Sequence, residues 1–368
     1  MEMSNSTKHN PTYSNFWSRL LLRPFFEDQF VIPPPPPRWL EIFLTFYERY
    51  LLRIDTSAID IDRPIFLLGL PRTGSSMLQD LLCSHPDLAY ITHAMHAFRR
   101  CFCGAEHFRR LFRLNVRGVR FLGDSVEVEA GSPADPVAFW CEWLKEDPYQ
   151  IECRDYGLGD FSPAEIEVLR NNLRRVIWCF GSRANRYFCK NPALLPRVYL
   201  LRDIFPDAKF VFLVREPGPT ANSLIKLYRL GVRQEQIIYQ RRGEEPPSGR
   251  AFIPYPRLPR LPEYLQRFGP DDLRTTARLW RDSALFIARA LDKLDSALLI
   301  RYEDLCADPQ GEISKILQYC QLPEFAPDNR DYGLKLSRVG RTGHRNVYGG
   351  FDLVREICGP VMPDFGYK

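Results

Sequence analysis

The chain has 368 residues, 45% hydrophobic, 26% charged and 13% aromatic, a globular balance that excludes a disordered, fibrous or collagen-like protein. A formal net charge of +5, spread over no basic run, suits anionic substrates but excludes nucleic acid as the expected partner. The ten cysteines include no C-x-x-C pair, the residues start with no basic-then-apolar leader, and no stretch reaches the roughly 18 apolar residues of a membrane span; the expectation is a cytoplasmic chain with reduced thiols, no metal site and no membrane partner.

Residues 1–37 read as an extended arm ending in the proline run Pro33–Pro37, which favours polyproline over helix. Trp39–Arg53 follows as a helix, with apolar residues at Leu40, Phe43, Leu44, Tyr47 and Leu51. Pro64–Gly69 is a short apolar run closed by a glycine-rich turn, the pattern of a buried parallel strand. Ser75–Cys83 continues as a helix whose apolar face is Met77, Leu78, Leu81 and Leu82. Three further strands, Tyr187–Lys190, Lys209–Val214 and Ala297–Tyr302, each run into a helix, over about 196–205, 217–228 and 309–320. This alternation implies a three-layer α/β/α domain around a central, mostly parallel sheet. Arg241–Pro262 is too rich in proline and arginine for helix or central strand and reads as an inserted loop. With no repeat and no composition break, residues 38–368 read as one domain.

The chemistry concentrates after the first strand. Gly69-Leu-Pro-Arg-Thr-Gly74-Ser75-Ser76 lies between strand and helix, where backbone N–H groups and the helix N-terminus together attract phosphate. Its spacing matches the G-x-x-x-x-G-K-[ST] loop of nucleoside-triphosphate enzymes, except that Ser75 stands where the lysine belongs. A loop without that lysine needs another cation, and Arg72 offers a guanidinium able to hold two phosphate oxygens. Thr73, Gly74, Ser75 and Ser76 complete the cradle.

Three separated segments now carry a resemblance. Pro64-IFLLGLPRTGSSMLQDLLCSHPD-Leu88, Phe205-PDAKFVFLVREPGPTANSLIKL-Tyr228 and Ala297-LLIRYEDLCADPQGEISKILQYCQL-Pro323 resemble, in this order, elements of the PAPS-dependent sulfotransferase family, in particular its bacterial-type branch. PAPS is 3′-phosphoadenosine-5′-phosphosulfate, and its product after transfer is PAP. The likeness implies a P-loop-like sulfotransferase fold and metal-free, in-line transfer of a sulfuryl group to a hydroxyl, less readily an amine, of a small-molecule acceptor. It further implies that the first loop holds the 5′-phosphosulfate while Arg215, at a strand end, and Ser223, on the next helix, hold the 3′-phosphate at the other end of the nucleotide. Lys190, followed by Asn191-Pro192, resembles the family lysine that stabilises the departing oxygen. The glycine-interrupted basic segment Ser337–Asn346 resembles a closing loop, with Arg338, Arg341 and Arg345 competing to meet the 3′-phosphate.

Where many relatives carry a catalytic glutamate, this chain has Tyr90-Ile-Thr-His93-Ala-Met-His96. An imidazole titrating near pH ~6.5 accepts a proton at neutral pH, so His93 is the expected base, with His96, Glu142 and Glu152 in reserve and His85 assigned to the turn after the first helix. The acceptor pocket is expected around Phe139, Trp140, Trp143, Tyr149 and the arginines of the insertion. Two other classes share the loop. A P-loop nucleotide kinase would need magnesium and turn over ATP, and the missing lysine argues against it. A non-catalytic nucleotide-binding module would bind PAP without transferring sulfate.

Overall fold

The computed structural model describes residues 12–26, 37–119, 127–147, 149–243, 252–340 and 349–368. They group into two compact units. The sheet unit comprises Thr56–Tyr90, Asp135–Arg229 and Ala251–Lys368, and the smaller unit Met1–Asp55, Ile91–Ala134 and Leu230–Arg250.

In the sheet unit five strands, β1 Ile65–Leu68, β2 Leu88–Ala89, β3 Arg186–Lys190, β4 Lys209–Val214 and β5 Ala297–Arg301, form one sheet in the order β2-β3-β1-β4-β5. Every pairing is parallel. The apolar run at 65–68 is continuous because both faces of β1 are covered. Ile65 and Leu67 pack with Leu78, Leu81, Val211, Ile313 and Leu317 on one side, while Phe66 meets Phe210, Phe205 and Trp140 on the other. The three-layer expectation therefore holds.

Helix starts follow local chemistry. Ser162 and Glu165 form a reciprocal capping box with Pro163 in the first turn, launching Pro163–Phe180. Asp308 accepts from the Gly311 N–H ahead of Pro309–Cys320. The helix after β4 runs from Pro217 to Arg242, much farther than predicted, and so takes up the start of the expected insertion. Residues 244–251 of that insertion lie outside the described residues.

The smaller unit contains a three-stranded antiparallel sheet of Thr12–Tyr13, Val116–Val119 and Glu127–Glu129, with helices Phe16–Phe26, Arg38–Phe46, His93–Ala97 and Phe102–Leu111. Its core gathers Leu22, Leu40, Leu44, Phe98, Cys101 and Leu114. Part of the stretch read as an extended arm is thus ordered secondary structure: the Asn15 side chain accepts from the Ser18 N–H and turns Phe16–Phe26 into a helix. Tyr47–Leu51 extends Arg38–Phe46 as a π-turn, close to the predicted helical span. Among the described residues, no helix is long and apolar enough to cross a membrane.

Candidate active site

The carboxyl ends of four parallel strands of the sheet unit lie at one edge of the sheet, with β4 and β5 running two residues past the end of β1. The register sets Leu67 opposite Lys190 and Val214 opposite Arg301. Beyond those positions the chain enters the Gly69–Gly74 loop, Asn191, Arg215 and Tyr302. β1 lies between β3 and β4, so connections leave it in both directions, and open parallel sheets bind ligands in the crevice at such a switch point.

The loop is held in shape by two glycines and one strained arginine. A Cβ on Gly69 would lie 2.3 Å from the Leu213 carbonyl oxygen, and one on Gly74, at φ 94°, 2.4 Å from Tyr302 Cδ2. Arg72 itself adopts φ 73°, a left-handed conformation that costs a side-chain-bearing residue roughly 1–2 kcal/mol. Thr73 is buried and its hydroxyl donates to the Leu70 carbonyl at 2.9 Å, so its side chain braces the turn and leaves its N–H for a ligand. Ser75 is buried at the start of helix Ser75–Leu82, where the Ser75 and Ser76 N–H groups precede the first helical bonds, those from the Met77 and Leu78 N–H groups to the Gly74 carbonyl.

Around this loop the predicted cations converge. Arg72 Nε donates to Ser223 Oγ at 2.9 Å, and Arg215 Nη1 donates to the Arg72 carbonyl at 3.4 Å. The Arg215 guanidinium also lies 4.4 Å from the centre of the Tyr302 ring. Arg72, Arg215 and Ser223, expected at the two phosphate ends of one nucleotide, lie side by side. Trp280 Nε1 fixes the Arg215 carbonyl at 2.8 Å, and Glu303 accepts from the next N–H, that of Glu216, at 2.9 Å. The same Glu303 accepts from the Tyr367 hydroxyl at 2.7 Å, which ties the C-terminal tail to this corner.

Lys190 is buried at the end of β3. Its Nζ donates to Asp135 Oδ2 at 2.7 Å and to Ser76 Oγ at 3.2 Å, joining the lysine to the phosphate loop. Asn191 is buried beside it. Its Oδ1 accepts from the Ala193 N–H at 3.0 Å, and its Nδ2 is a buried donor with no acceptor among the described residues.

Two members of this cluster were missed from sequence. Asp135 is a single acid between Pro133-Ala134 and Pro136, with no spacing that connects it to Lys190. Tyr302 was counted as the last residue of a strand but opens the short helix Tyr302–Ala307. Burial, with a hydrogen bond to Cys306 adding to it, pushes its phenol up to about 12, so it presents a neutral ring to Arg215.

The remaining predicted residues stand on other elements. His93 opens helix His93–Ala97 in the smaller unit, and Thr92 caps that helix by accepting from the Met95 N–H at 3.1 Å. The Thr92 hydroxyl in turn donates to the fully buried Glu106 carboxylate at 3.0 Å, which Arg109 and Arg110 neutralise. His96 is half-buried on the same helix. His85 is buried, with Nε2 2.9 Å from the Pro323 carbonyl oxygen and Nδ1 accepting from the Asp87 N–H, and so braces its turn. Glu142 and Glu152 are exposed. Arg338 is exposed just past helix Arg330–Leu336 and is not among the residues brought together; Arg341 and Arg345 lie outside the described residues.

The expected acceptor-side residues divide. Trp140 is fully buried in the core, and Trp143 stacks on Phe161 at 4.5 Å while donating to the Glu165 carbonyl, so both support the fold rather than line a pocket. Arg257, in the insertion, is equally occupied. It pairs with the buried Glu146, which also holds Arg197 at 2.7 Å, and it donates to the Gln150 and Asp147 carbonyls. A buried carboxylate between two guanidiniums anchors this segment to the sheet unit and leaves Arg257 unavailable to an acceptor.

The chain is similar to known sulfotransferases in sequence and in fold. The model of the sulfotransferase family matches residues 64–243, from the start of β1 through the helix after β4. The omega-hydroxy-beta-dihydromenaquinone-9 sulfotransferase Stf3 of Mycobacterium tuberculosis is 25% identical over 332 residues, covering 83% of this chain and 76% of the relative. The protein-tyrosine sulfotransferase of Drosophila melanogaster is 22% identical over 321 residues, covering 82% of this chain but 48% of the fly protein. Among solved structures, sulfotransferase STF9 from Mycobacterium avium superposes with a TM-score of 0.55 at 15% identity, over 90% of this chain and 83% of that one, a likeness of fold.

Proposed function

We propose that the acceptor of this PAPS-dependent sulfotransferase is a hydroxyl on a small molecule and that the sheet-edge cluster holds the donor. The observation that carries this reading is the convergence of Arg72, Arg215 and Ser223 at the ends of β1 and β4, next to a loop whose glycines let the Leu213 backbone and the Tyr302 ring pack directly against it. An anion with phosphate groups at two points fits such a donor set, because guanidiniums and helix N–H groups meet its oxygens without a proton being exchanged.

PAPS supplies, when bound, an activated sulfuryl group whose departure leaves negative charge on the 5′-phosphate. Arg72 and the first-turn N–H groups of helix Ser75–Leu82 hold the 5′ oxygens, and Ser76 adds its hydroxyl. Lys190 directs its ammonium at the oxygen that gains charge, an effect worth ~3 kcal/mol where water is excluded. Arg215 and Ser223 hold the 3′-phosphate, and the Tyr302 ring supports the Arg215 guanidinium over its face. His93 is retained as the base on chemistry alone, as an imidazole that accepts the acceptor proton near neutral pH. A small-molecule acceptor is favoured because Stf3, which aligns with 83% of this chain, is named for a hydroxylated quinone.

The test combines binding and turnover. PAP should raise the melting temperature more than ATP or ADP does, and labelled sulfate should pass from PAPS to an alcohol in a metabolite extract. Arg72→Ala should abolish transfer, while Arg215→Ala should mainly raise the KM for PAPS. Unchanged kinetics in both variants would sink the donor-site assignment. His93→Ala with near-normal turnover would move the base to another residue.

A further inference from the structure

Among the described residues, all but three of the exposed large hydrophobic side chains lie in the smaller unit; Leu158, Val168 and Leu334 are the exceptions. They concentrate on the segment Arg38–Leu51. There Leu40 and Leu44 face the core, whereas Trp39, Ile42, Phe43, Phe46 and Tyr50 recur at three- and four-residue steps along the outer side. Trp39 is 64% exposed, Ile42 61% and Tyr50 63%, so the outer stripe is not an extension of the core. A helix apolar on both sides, with only one side used by its own fold, marks an interaction surface.

Charge identifies what the surface fits. Arg38, Arg49 and Arg53 are exposed on the same segment, and Arg19 and Arg113 are exposed beside Trp17 with Leu20 and beside Phe112, respectively. Between Arg38 and Arg53 no acid is exposed: Glu48 is buried, its carboxylate accepting from the Gly104 N–H at 2.7 Å, and Glu41 is half-buried. Aromatic rings edged by guanidiniums suit the headgroup boundary of an anionic bilayer, where Trp and Tyr place their rings and Arg meets lipid phosphate. A second copy docking on the same face would bring two sets of these arginines into one interface with no exposed acid of the Arg38–Arg53 segment to pair them, and the repulsion opposes that arrangement.

We propose that the Trp39–Tyr50 face of the smaller unit is a peripheral docking surface for an anionic lipid bilayer. This revises the expectation of no membrane partner, which weighed only spanning segments. The inference stands apart from the proposed acceptor, since docking requires no turnover.

The full chain is floated with phosphatidylcholine vesicles and with vesicles containing phosphatidylglycerol. Binding is expected to the anionic vesicles, weakening as salt rises. Trp39→Ser with Phe46→Ser should abolish it at an unchanged melting temperature, because both side chains are exposed. Arg38→Gln with Arg49→Gln should weaken it by about 25-fold, roughly fivefold per arginine. Absence of binding at low salt would overturn the proposal. So would a dimer, seen by light scattering, that Phe46→Ser dissolves, since the face would then belong to a second copy. A lower melting temperature in the serine variant would also overturn it, by showing that the stripe is covered within the chain.

Discussion

Gly74→Ala tests how the phosphate loop is built, because two separate costs meet at one atom. An alanine there keeps φ near 94°, which costs roughly 1–2 kcal/mol. Its Cβ would also fall 2.4 Å from Cδ2 and 2.5 Å from Cε2 of Tyr302, so the ring has to move or the loop has to open, at about 1–3 kcal/mol for overpacking of this kind. The single substitution should therefore destabilise by roughly 2–5 kcal/mol. Only the second cost depends on the ring. In a Tyr302→Ala background the clash has no partner, and Gly74→Ala should cost only the backbone part, about 1–2 kcal/mol.

Urea denaturation of the four proteins (wild type, both single variants and the double) closes the cycle. The double variant should be less destabilised than the two singles summed by about 1–3 kcal/mol. Additivity within roughly 0.5 kcal/mol would refute the packing of Tyr302 on Gly74. A second readout links the cycle to function. Displacing the ring removes the surface that Arg215 lies against at 4.4 Å, so Gly74→Ala should also weaken PAP binding in the folded protein, on the order of tenfold if about 1.4 kcal/mol of contact is lost.

Lys190→Ala should lower kcat by about 10²–10³-fold while leaving the KM for PAPS nearly unchanged, as expected for a charge used only as the leaving oxygen gains its own. Asp135→Asn keeps an oxygen for Lys190 and should cost much less; a kcat loss equal to that of Lys190→Ala would make the carboxylate itself a participant in the reaction. For pH, Glu165 is the clearest case: the Lys145 ammonium first, then the Ser162 N–H and hydroxyl, hold its carboxyl down at about 2 against an ordinary 4.5. A depressed acid stabilises above its unfolded value and loses that contribution as pH falls toward about 2, so Glu165→Gln should flatten the decline in melting temperature between pH 5 and 2. An identical acid slope in the variant would show that the box contributes nothing there.

Much of the sheet was legible because its strands are buried on both faces and therefore carry unbroken apolar runs. Lys209–Val214 and the helix Pro309–Cys320 match their predicted bounds, and Ile65–Leu68 lies within the predicted run. The two-residue edge strand Leu88–Ala89 is too short to show any period, and only its pairing with Arg186 and Tyr187 makes it a strand. Pro163–Phe180 and Leu273–Lys293 were not among the predicted elements, although their signals were present: a Ser-Pro-x-Glu capping box for one and the Asp272 cap for the other. The division into a sheet unit and a smaller unit left no mark on composition, because each is assembled from separated stretches of chain.

The site divides along the same physical line. Arg72, Lys190 and Arg215 all sit at or just past the carboxyl end of a central strand, where the sheet dictates position and the side chain is released from packing. Such residues can be found from sequence, since finding the strand finds its end. Asp135 and Tyr302 reach the cluster by another route. Asp135 arrives from ahead of helix Val137–Leu144, 55 residues before the lysine it binds, and Tyr302 is placed by the β4–β5 register, which brings the end of β5 level with Arg215. No pattern in the chain specifies either approach. The cations and the two glycines are thus written locally, whereas the carboxylate that holds Lys190 and the ring that holds Arg215 exist only once the strands are in register. A change in that register would leave every motif intact and still separate Arg215 from its ring, which is why the loop sequence alone is a weaker statement about catalysis than the register that gathers the ends of β1, β3, β4 and β5 at one edge.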